Sequence, residues 1–282
     1  MIFGPRPEIK TRSELAAMAE AGAIVCQMLD AVSQAVEVGI STAELDAIAE
    51  RTCRQAGAKP NFKGYYGFPA TICTSINDEI VHGIPTSQRF LADGDVLSVD
   101  CGCSIAGTRG RRWHGDSART FLVGNVRPEV RQLSDITREA MWAGIAALAG
   151  ARDVGVVGAA VEDVVACNPI NGAPLDIVTE YVGHGIGTAM HQVPDVPNYR
   201  VAGRQPKIKD GMALCVEPML TLGQAENRTL DDEWTVVTTD GSPAAHWEHA
   251  VAIIDGTVRV LTAADGGAAE LAKRGITIAE LA

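Results

Sequence analysis

An eight-residue pattern occurs twice in the chain, and it constrains the fold more than any other feature. Each copy consists of Asp-Gly, two residues, Leu, one residue, Val and a final acid, and the copies occupy residues 93–100 and 210–217. An Asp-Gly turn followed by an apolar run predicts the start of a strand. The final acids, Asp100 and Glu217, are therefore expected near the ends of two strands.

A second acid follows each copy in a matching frame. Asp116 ends a His-Gly-Asp sequence, and Glu248 ends a His-Trp-Glu sequence. A single acid after a strand is usually a turn or cap residue, but turn acids would not be expected in the same frame twice. Two halves that each supply two carboxylates from strands are typical of a cation site.

Length and composition favour a globular protein without a nucleic-acid surface. The chain has 282 residues, of which 46% are hydrophobic, and a formal charge of −11. Nucleic-acid binding needs a clustered basic face, whereas the basic residues here cluster only at residues 109–112. Seven cysteines without a Cys-x-x-Cys pair predict reduced thiols. We therefore expect a cytoplasmic protein with no signal peptide and no membrane-spanning run.

Helices and strands are predicted in separate runs. Helices are predicted from the capping-box residues Thr11 and Ser41, ending at Gly39 and near Gly57, and over residues 128–149 and 157–165. Strands are predicted at residues 70–76, 117–123, 234–238 and 249–254, with an irregular connection over 101–113 and a loop over 181–199. Since no linker divides the chain, we predict a single α+β domain with two pseudo-symmetric halves. Helices should cover one face of a mainly antiparallel sheet.

Four aromatic residues lie within seven positions in a Gly- and Pro-rich stretch: Phe62, Tyr65, Tyr66 and Phe68. Aromatic residues make up only 5% of the chain, so this density is unusual. The cluster is either a core plug beneath a loop or the wall of an apolar pocket.

The four acids and one histidine form a candidate metal centre: Asp100, Asp116, His184, Glu217 and Glu248. Oxygen-rich ligation with one imidazole suits divalent Mn, Fe, Co or Zn, whereas a structural zinc site is rich in Cys and His. Five ligands exceed the needs of one catalytic ion, which favours two ions close together. Glu217 also lies within an apolar run, where an unpaired charge would be costly.

The full set of motifs resembles one known family. The motifs are Ser75-Ile76-Asn77, His82-Gly83-Ile84-Pro85, His114-Gly115-Asp116, Gly183-His184-Gly185-Ile186-Gly187 with His191, Val216-Glu217-Pro218-Met219 and Glu248-His249. Together they resemble the type I methionine aminopeptidases of metallopeptidase family M24, particularly bacterial, actinobacterial-like members, over residues 13–261. The resemblance implies the pita-bread fold and removal of the initiator methionine from nascent proteins whose second residue is small.

The resemblance also implies a role for each site residue. Asp100 would hold one metal ion, His184 and Glu217 the other, and Asp116 and Glu248 would bridge the two. A water or hydroxide bound to this dinuclear centre would attack the carbonyl of the initiator methionine, and Glu217 would also transfer protons.

Substrate-binding residues are implied in the same way. His82 and His191 would bind substrate and stabilise the tetrahedral intermediate. The positions that line the methionine pocket in the family are Tyr65, Phe68, Cys73, Met190 and Trp234. The ligand set does not distinguish Co, Mn, Fe and Zn.

Domain boundaries and partners complete the prediction. We expect an N-terminal arm (1–12), a catalytic domain (13–263) with halves at 13–150 and 151–263, and a C-terminal tail (264–282). The expected partner is the N-terminal methionine of nascent polypeptides, with transient contact to the ribosome, no membrane and a monomeric state. Residues 106–112 lengthen the connection between Asp100 and Asp116 beyond the family's usual length, so an extended surface hairpin is predicted there.

Two alternatives share the fold. One is an Xaa-Pro aminopeptidase or prolidase, which uses the same five ligands; the short N-terminal region and the His82–Pro85 motif argue against it. The other is a non-enzymatic pita-bread binding protein, which would be expected to have lost ligands that are all retained here.

Overall fold

The structure is a computed structural model that describes residues 6–281, so the first five residues of the predicted arm lie outside the described part. Within this range the α-helices are α1 Arg12–Ala35, α2 Thr42–Gln55, α3 Pro128–Ala147, α4 Gly155–Cys167 and α5 Ala268–Ala272. Two 3-10 turns occupy Tyr65–Gly67 and Thr108–Gly110.

The strands of residues 6–281 are all short except for one long pair. They are β1 Lys59–Pro60, β2 Ile72–Ile76, β3 Glu79–Val81, β4 Val96–Ala106, β5 Arg112–Leu122, β6 Asp176–Ile177, β7 Gly183–Gly185, β8 Gln192–Val196, β9 Ala213–Val216, β10 Met219–Thr221, β11 Asn227–Thr229, β12 Val236–Thr238, β13 Ala244–His246, β14 His249–Ile254 and β15 Thr257–Val260. The two larger sheets have the orders β1-β4-β2, with β5 paired to β4, and β15-β14-β9-β7-β8. Two three-stranded sheets, β13-β10-β6 and β11-β12-β3, accompany them.

Every one of these strand pairings is antiparallel, and each larger sheet has its own pair of covering helices. Helices α1 and α2 pack on the sheet containing β4, and their shared core includes Leu29, Leu45 and Leu97. Helices α3 and α4 pack on the sheet containing β9, with Ile145 and Val216 in that core. The α+β class is therefore confirmed, whereas the domain boundaries stay predictions.

Helix α1 begins as predicted but ends earlier. Thr11 forms the capping box with Glu14, which satisfies free backbone N–H groups of the first turn. The helix ends at Ala35 rather than at Gly39. The reason is tertiary: the Gly39 N–H donates to the Leu91 carbonyl at 2.8 Å, so residues 36–39 leave the helix to pair with a distant segment.

Helix α1 also corrects the expectation that no run could span a membrane. Among the described residues it is the one helix that is long and apolar enough to do so by length and composition. Its apolar residues are accounted for by the fold, because Met18, Val25 and Leu29 are completely buried against the sheet and neighbouring helix. A core helix of a folded protein passes the same test.

The irregular connection predicted over residues 101–113 is wrong. Strands β4 and β5 pair without interruption from Val96 opposite Leu122 to Ala106 opposite Arg112. Asp100 consequently lies in the middle of its strand rather than near the end. The extended hairpin predicted at residues 106–112 is confirmed, and Arg111 ties its tip to α1 through an ion pair with Glu14 at 3.2 Å.

The loop predicted over residues 181–199 contains the strands β7 and β8. The glycines that suggested a loop are required by close packing instead. A Cβ at Gly183 would lie 2.3 Å from the Cys215 carbonyl oxygen, and one at Gly185 would lie 2.4 Å from that of Val193. These glycines let β7 approach its neighbours, with His184 between them.

Candidate metal centre and substrate cavity

A cavity of about 360 Å³ lies between the two larger sheets. This volume is within the range of small-ligand sites. Its lining residues are Phe62, Tyr65, Phe68, Cys73, Val81, His82, Asp100, Asp116, Tyr181, Val182, His184, Met190, His191, Asp195, Glu217, Met219, Trp234 and Glu248. All twelve of the site residues named from the sequence are among them.

Strand register brings Asp100 and Asp116 together. Asp100 is opposite Ala118 in the β4–β5 pair, and Asp116 is opposite Gly102. Residues opposite each other in an antiparallel pair point to the same face, so the two aspartates lie diagonally on one face. Gly102 leaves room for this arrangement, because a Cβ there would lie 2.8 Å from Asp116 Oδ1.

The other three candidate ligands come from the second large sheet. Glu217 follows β9, and its Oε1 lies 3.4 Å from His184 Nε2. The His184 Nδ1 lies 3.0 Å from the Gly185 carbonyl oxygen. A proton on Nδ1 would satisfy that carbonyl and leave Nε2 free as a ligand, which is a common arrangement for metal-binding histidines.

Glu248 joins the two sheets. Its backbone N–H donates to the Ala118 carbonyl on β5 at 3.0 Å. Its carboxylate lies with those of Asp100 and Asp116 in a group whose ligand atoms are all within 4.8 Å of one another. The acids of the two halves therefore meet at one point.

The donor set fits divalent cations. In each of the four acids one buried oxygen has no hydrogen-bond partner: Asp100 Oδ1, Asp116 Oδ1, Glu217 Oε1 and Glu248 Oε1. Buried, unpartnered carboxylate oxygens are costly, and converging ones repel each other. Cations bound between them would remove both costs, and the mixture of oxygen donors with one imidazole suits first-row divalent ions.

The pKa values of the four acids also favour bound cations. Burial raises the pKa of Asp100 to about 7. Burial first, and then the neighbouring carboxylates, raise the pKa values of Asp116, Glu217 and Glu248 well above their ordinary values. A bound cation would oppose this effect and keep the acids ionised at neutral pH.

His82 and His191 both line the cavity, and a ring nitrogen of His191 lies within 4.8 Å of ligand atoms of Asp116 and His184. The His191 ring is 4.4 Å from that of His184, and its Nδ1 lies 3.1 Å from the Tyr65 hydroxyl. His82 has a φ of 63° and stacks edge-on with Trp234. A left-handed backbone at a non-glycine residue is uncommon and marks a position held by its surroundings. Burial lowers the pKa of His82 to about 4, which leaves its imidazole neutral at pH 7.

The aromatic stretch forms the wall of this cavity. Phe62, Phe68, Cys73 and Met190 make one buried cluster against which Tyr65 and Trp234 pack. The pocket-wall alternative is therefore the correct one for most of the stretch. Tyr66 is the exception, because it is 86% exposed and is not among the lining residues.

The N-terminal arm braces the segment that carries His191. Glu8 accepts hydrogen bonds from the Thr188 backbone N–H and from Gln192 Nε2, both at 2.9 Å. The buried Lys10 ammonium donates to the Ile186 carbonyl oxygen. The arm thus holds residues on both sides of His191.

Sequence reasoning missed two side chains at the centre, His246 and Cys215. His246 Nε2 is 3.7 Å from Glu217 Oε2. Cys215 lies with His184 and Glu248 in a group whose ligand atoms are within 4.8 Å of one another. A signal was present, because each lies two residues before an acid of the centre and alternate strand residues share a face.

Comparison with known proteins identifies the family. A model described as metallopeptidase family M24 matches residues 16–255. The chain belongs to metallopeptidase family M24. This M24 chain is 47% identical over 254 residues to methionine aminopeptidase 1 of Mycobacterium tuberculosis, covering 90% of the chain and 94% of the relative.

Solved structures confirm the predicted pita-bread fold of this M24 chain. The methionine aminopeptidase from Rickettsia prowazekii matches with a TM-score of 0.85 and 30% identity, covering 92% of this chain and 100% of that one. The prolidase from Pyrococcus furiosus matches with a TM-score of 0.70 and 19% identity, covering 90% of this chain and 65% of that one. At that identity the prolidase match is evidence of a shared fold alone.

Proposed function

We propose that this chain is a methionyl aminopeptidase that removes the N-terminal methionine of polypeptides whose second residue is small. The observation that carries the proposal is the junction of two surfaces in one cavity. An apolar wall of Phe68, Cys73 and Met190 adjoins His184 and the four acids, of which three are buried and Asp100 is half-buried. Cys73 is opposite Asp100 in the β2–β4 pair, so the apolar wall continues directly into the carboxylate cluster.

The acids and His184 would hold two divalent ions, Co, Mn, Fe or Zn: Asp100, Asp116, His184, Glu217 and Glu248. Asp100 would bind one ion, His184 and Glu217 the other, and Asp116 and Glu248 both. When bound, such ions acidify a water and polarise the peptide carbonyl next to it.

Protein groups would supply the remaining chemistry. His82 and His191 line the cavity and would donate hydrogen bonds to the carbonyl oxygen as it gains charge, and such donors typically supply several kcal/mol of transition-state stabilisation. Tyr65 holds His191 by its ring nitrogen, which fixes the direction in which the other nitrogen points. Glu217 has a carboxyl pKa raised by burial, and it would accept a proton from the nucleophile and return it to the leaving amine.

The cavity would select the substrate by its side chain. A straight, flexible thioether chain fits an apolar wall built from aromatic residues and Met190, and sulfur–aromatic contacts add to the affinity. Tyr65, Phe68 and Trp234 would supply those contacts. With the methionine side chain in this cavity, a small second residue would pass the cavity rim without a steric clash.

The proposal also includes a cellular location, an oligomeric state and a partner. We place the protein in the cytoplasm as a monomer that meets nascent chains through transient contact with the ribosome. The reduced state expected for its seven cysteines accords with that compartment.

A peptide assay tests the function. Metal-stripped protein is reloaded with Co²⁺, Mn²⁺, Fe²⁺ or Zn²⁺ in turn and incubated with Met-Ala-Ser-Lys, Met-Leu-Ser-Lys and Ala-Pro-Ser-Lys peptides, and the products are read by mass spectrometry. We expect loss of methionine from the first peptide only. Cleavage of the Ala-Pro bond would favour the prolidase alternative, and no cleavage with any ion would favour the non-enzymatic one.

Two variants test the assigned roles. His191→Ala should lower kcat by about 100-fold, the usual effect of removing one transition-state donor. Glu217→Ala should abolish turnover, and activity retained in it would contradict the mechanism. Arg131→Ala, an exposed change on the outer face of α3, serves as the matched control.

A further inference from the structure

His246 is a buried imidazole at the metal centre to which the proposed mechanism gives no task. It is 1% exposed and ends β13. Its Nε2 is buried and has no hydrogen-bond partner among the described residues. An unpartnered buried nitrogen is costly, so its retention needs a reason.

The backbone of His246 is fixed more firmly than a loop position would be. Its N–H lies within hydrogen-bond distance of Thr120 Oγ1 at 3.0 Å and of Ser98 Oγ at 3.2 Å. Its carbonyl oxygen accepts a bond from Thr120 Oγ1 at 2.8 Å. These contacts come from β4 and β5, the strands that carry Asp100 and Asp116. The backbone that carries the imidazole is therefore held beside the two strands that carry these carboxylates.

The two oxygens of Glu217 face different partners. Oε1 lies 3.4 Å from His184 Nε2 and has no hydrogen bond. Oε2 lies 3.7 Å from His246 Nε2. A small rotation of the Glu217 side chain would bring that second pair within the usual N–H···O distance of about 3 Å.

We propose that His246 is a positioning residue of the metal centre: its Nε2–H holds Oε2 of Glu217, so that Oε1 stays directed at the ion beside His184. The inference rests on the proposed metal centre. In this arrangement Oε2 of Glu217 accepts a hydrogen bond from the protein, and Oε1 remains available to bind the ion. Hydrogen-bonded partners of this kind typically change metal affinity or activity by about 10–100-fold when removed.

The position of the nitrogen allows a sharp test. In His246→Gln the amide nitrogen stands about where Nε2 stood, whereas in His246→Asn it stands about where Nδ1 stood and falls short of Glu217. His246→Leu removes the donor altogether. His249→Leu is the matched control, since His249 is also buried but its Nδ1 faces Thr262 Oγ1 at 2.8 Å.

Four quantities are measured on each variant: kcat and KM for the Met-Ala-Ser-Lys peptide, the Mn²⁺ dissociation constant of metal-stripped protein by calorimetry, and Tm. We expect His246→Asn and His246→Leu to lose about 10–100-fold in Mn²⁺ affinity and kcat, with KM within about threefold of wild type. His246→Gln should stay within about threefold on every quantity. His249→Leu should lower Tm while leaving Mn²⁺ affinity unchanged.

The outcomes separate this inference from the proposed function. Equal Mn²⁺ affinity in the wild type, Gln and Asn proteins would overturn the role of His246 while leaving the aminopeptidase proposal intact. A wild-type protein that binds no Mn²⁺ and cleaves no peptide would overturn the metal centre itself. A double-mutant cycle with Glu217→Gln supports the inference if His246→Leu has no further effect on Mn²⁺ affinity in that background, and contradicts it if the two losses add.

Discussion

Replacing Asp100 by Asn should stabilise the metal-free protein, and the gain should grow with pH. Burial raises the pKa of Asp100 from its ordinary 3.8 to about 7. Below the lower value both the folded and the unfolded states carry the proton. Between the two values the unfolded state is ionised while the folded state still holds the proton. The free energy of unfolding therefore falls as pH rises through this window, and the full penalty applies above about pH 7.

The magnitude follows from the shift. A change of roughly three pKa units at 1.36 kcal/mol each gives a penalty of about 4 kcal/mol above pH 7. The value pH 5 is only a little more than one unit above the pKa of the carboxyl in the unfolded state, so the penalty there is about 1.7 kcal/mol. The difference in unfolding free energy between Asp100→Asn and wild type should therefore rise by about 3 kcal/mol from pH 5 to pH 8. The variant should also relieve Asp116, Glu217 and Glu248, because burial and then repulsion from neighbouring acids, Asp100 among them, raise the pKa of each.

Urea unfolding in the presence of EDTA measures this difference at pH 5, 6, 7 and 8. Comparing the variant with wild type at each pH cancels the opposite contribution of the buried histidines, whose lowered pKa values destabilise both proteins equally in acid. Thr108→Ala, at the exposed hairpin tip, provides a control whose difference from wild type should not change with pH.

Added Mn²⁺ should narrow the advantage of the Asn variant at pH 8 and reverse the order of the two proteins at pH 5, where the burial penalty is smaller. A ligand that binds only the folded state at one hundred times its dissociation constant adds about 2.7 kcal/mol, and only the intact ligand set receives this in full. A stability difference that stays constant from pH 5 to pH 8, or an Asn variant that is less stable than wild type at pH 8 without metal, would refute the reasoning.

Three further changes test other contacts. Tyr65→Phe removes the hydroxyl that lies 3.1 Å from His191 Nδ1, and kcat/KM for a methionyl peptide should fall about tenfold; an unchanged value would mean that the contact does not orient the ring. Gly22→Ala places a Cβ 2.2 Å from the Leu261 carbonyl oxygen, so urea unfolding should show a loss of about 1–3 kcal/mol even though Ala favours helix, and a gain would contradict the packing. Phe68→Ala removes a buried wall of the cavity and should cost about 2 kcal/mol, or roughly thirtyfold in kcat/KM, with Tm as the check on folding. A loss in Tm without a loss in kcat/KM would show that Phe68 supports the fold and does not contact substrate.

Local signals in the sequence predicted much of the helical structure and one strand end to end. The capping boxes at Thr11 and Ser41 are both formed, because a cap depends on residues three positions apart. Strand β14 occupies His249–Ile254 as predicted, since a continuous apolar run bounded by a polar turn leaves little freedom. The end of α1 could not be read in the same way, because it depends on pairing with Leu91, more than fifty positions away.

The two largest errors have one physical origin. Glycine and arginine over residues 101–113, and glycine over 181–199, favour irregular structure when the sequence is considered alone. Gly102 and Gly183 are instead strand residues whose missing side chains admit a carboxylate and a neighbouring carbonyl. A sequence does not reveal whether a glycine marks a turn or a close approach, since both need the same absent Cβ.

The site was easier to predict than the fold around it. Its acids recur in a fixed frame, so their grouping could be inferred before any sheet was known. His246 shares its frame with His114, and Cys215 has no counterpart of its own type, so their spacing of two residues from an acid is the signal that points to the centre. Their placement depends on which face of each strand turns inward, and that is decided by packing across the whole domain.

The contacts of the N-terminal arm connect residues 8–10 to the segment that carries His191. Glu8 is separated from its partner Gln192 by 184 positions and Lys10 from Ile186 by 176, so the two ends of these contacts meet only in the finished fold. A change at residues 8–10 would alter how His191 is presented without touching the substrate. The arm thus ties residues 186–192 in place through one carboxylate and one ammonium group, so the geometry around His191 depends on a segment far from it in the sequence.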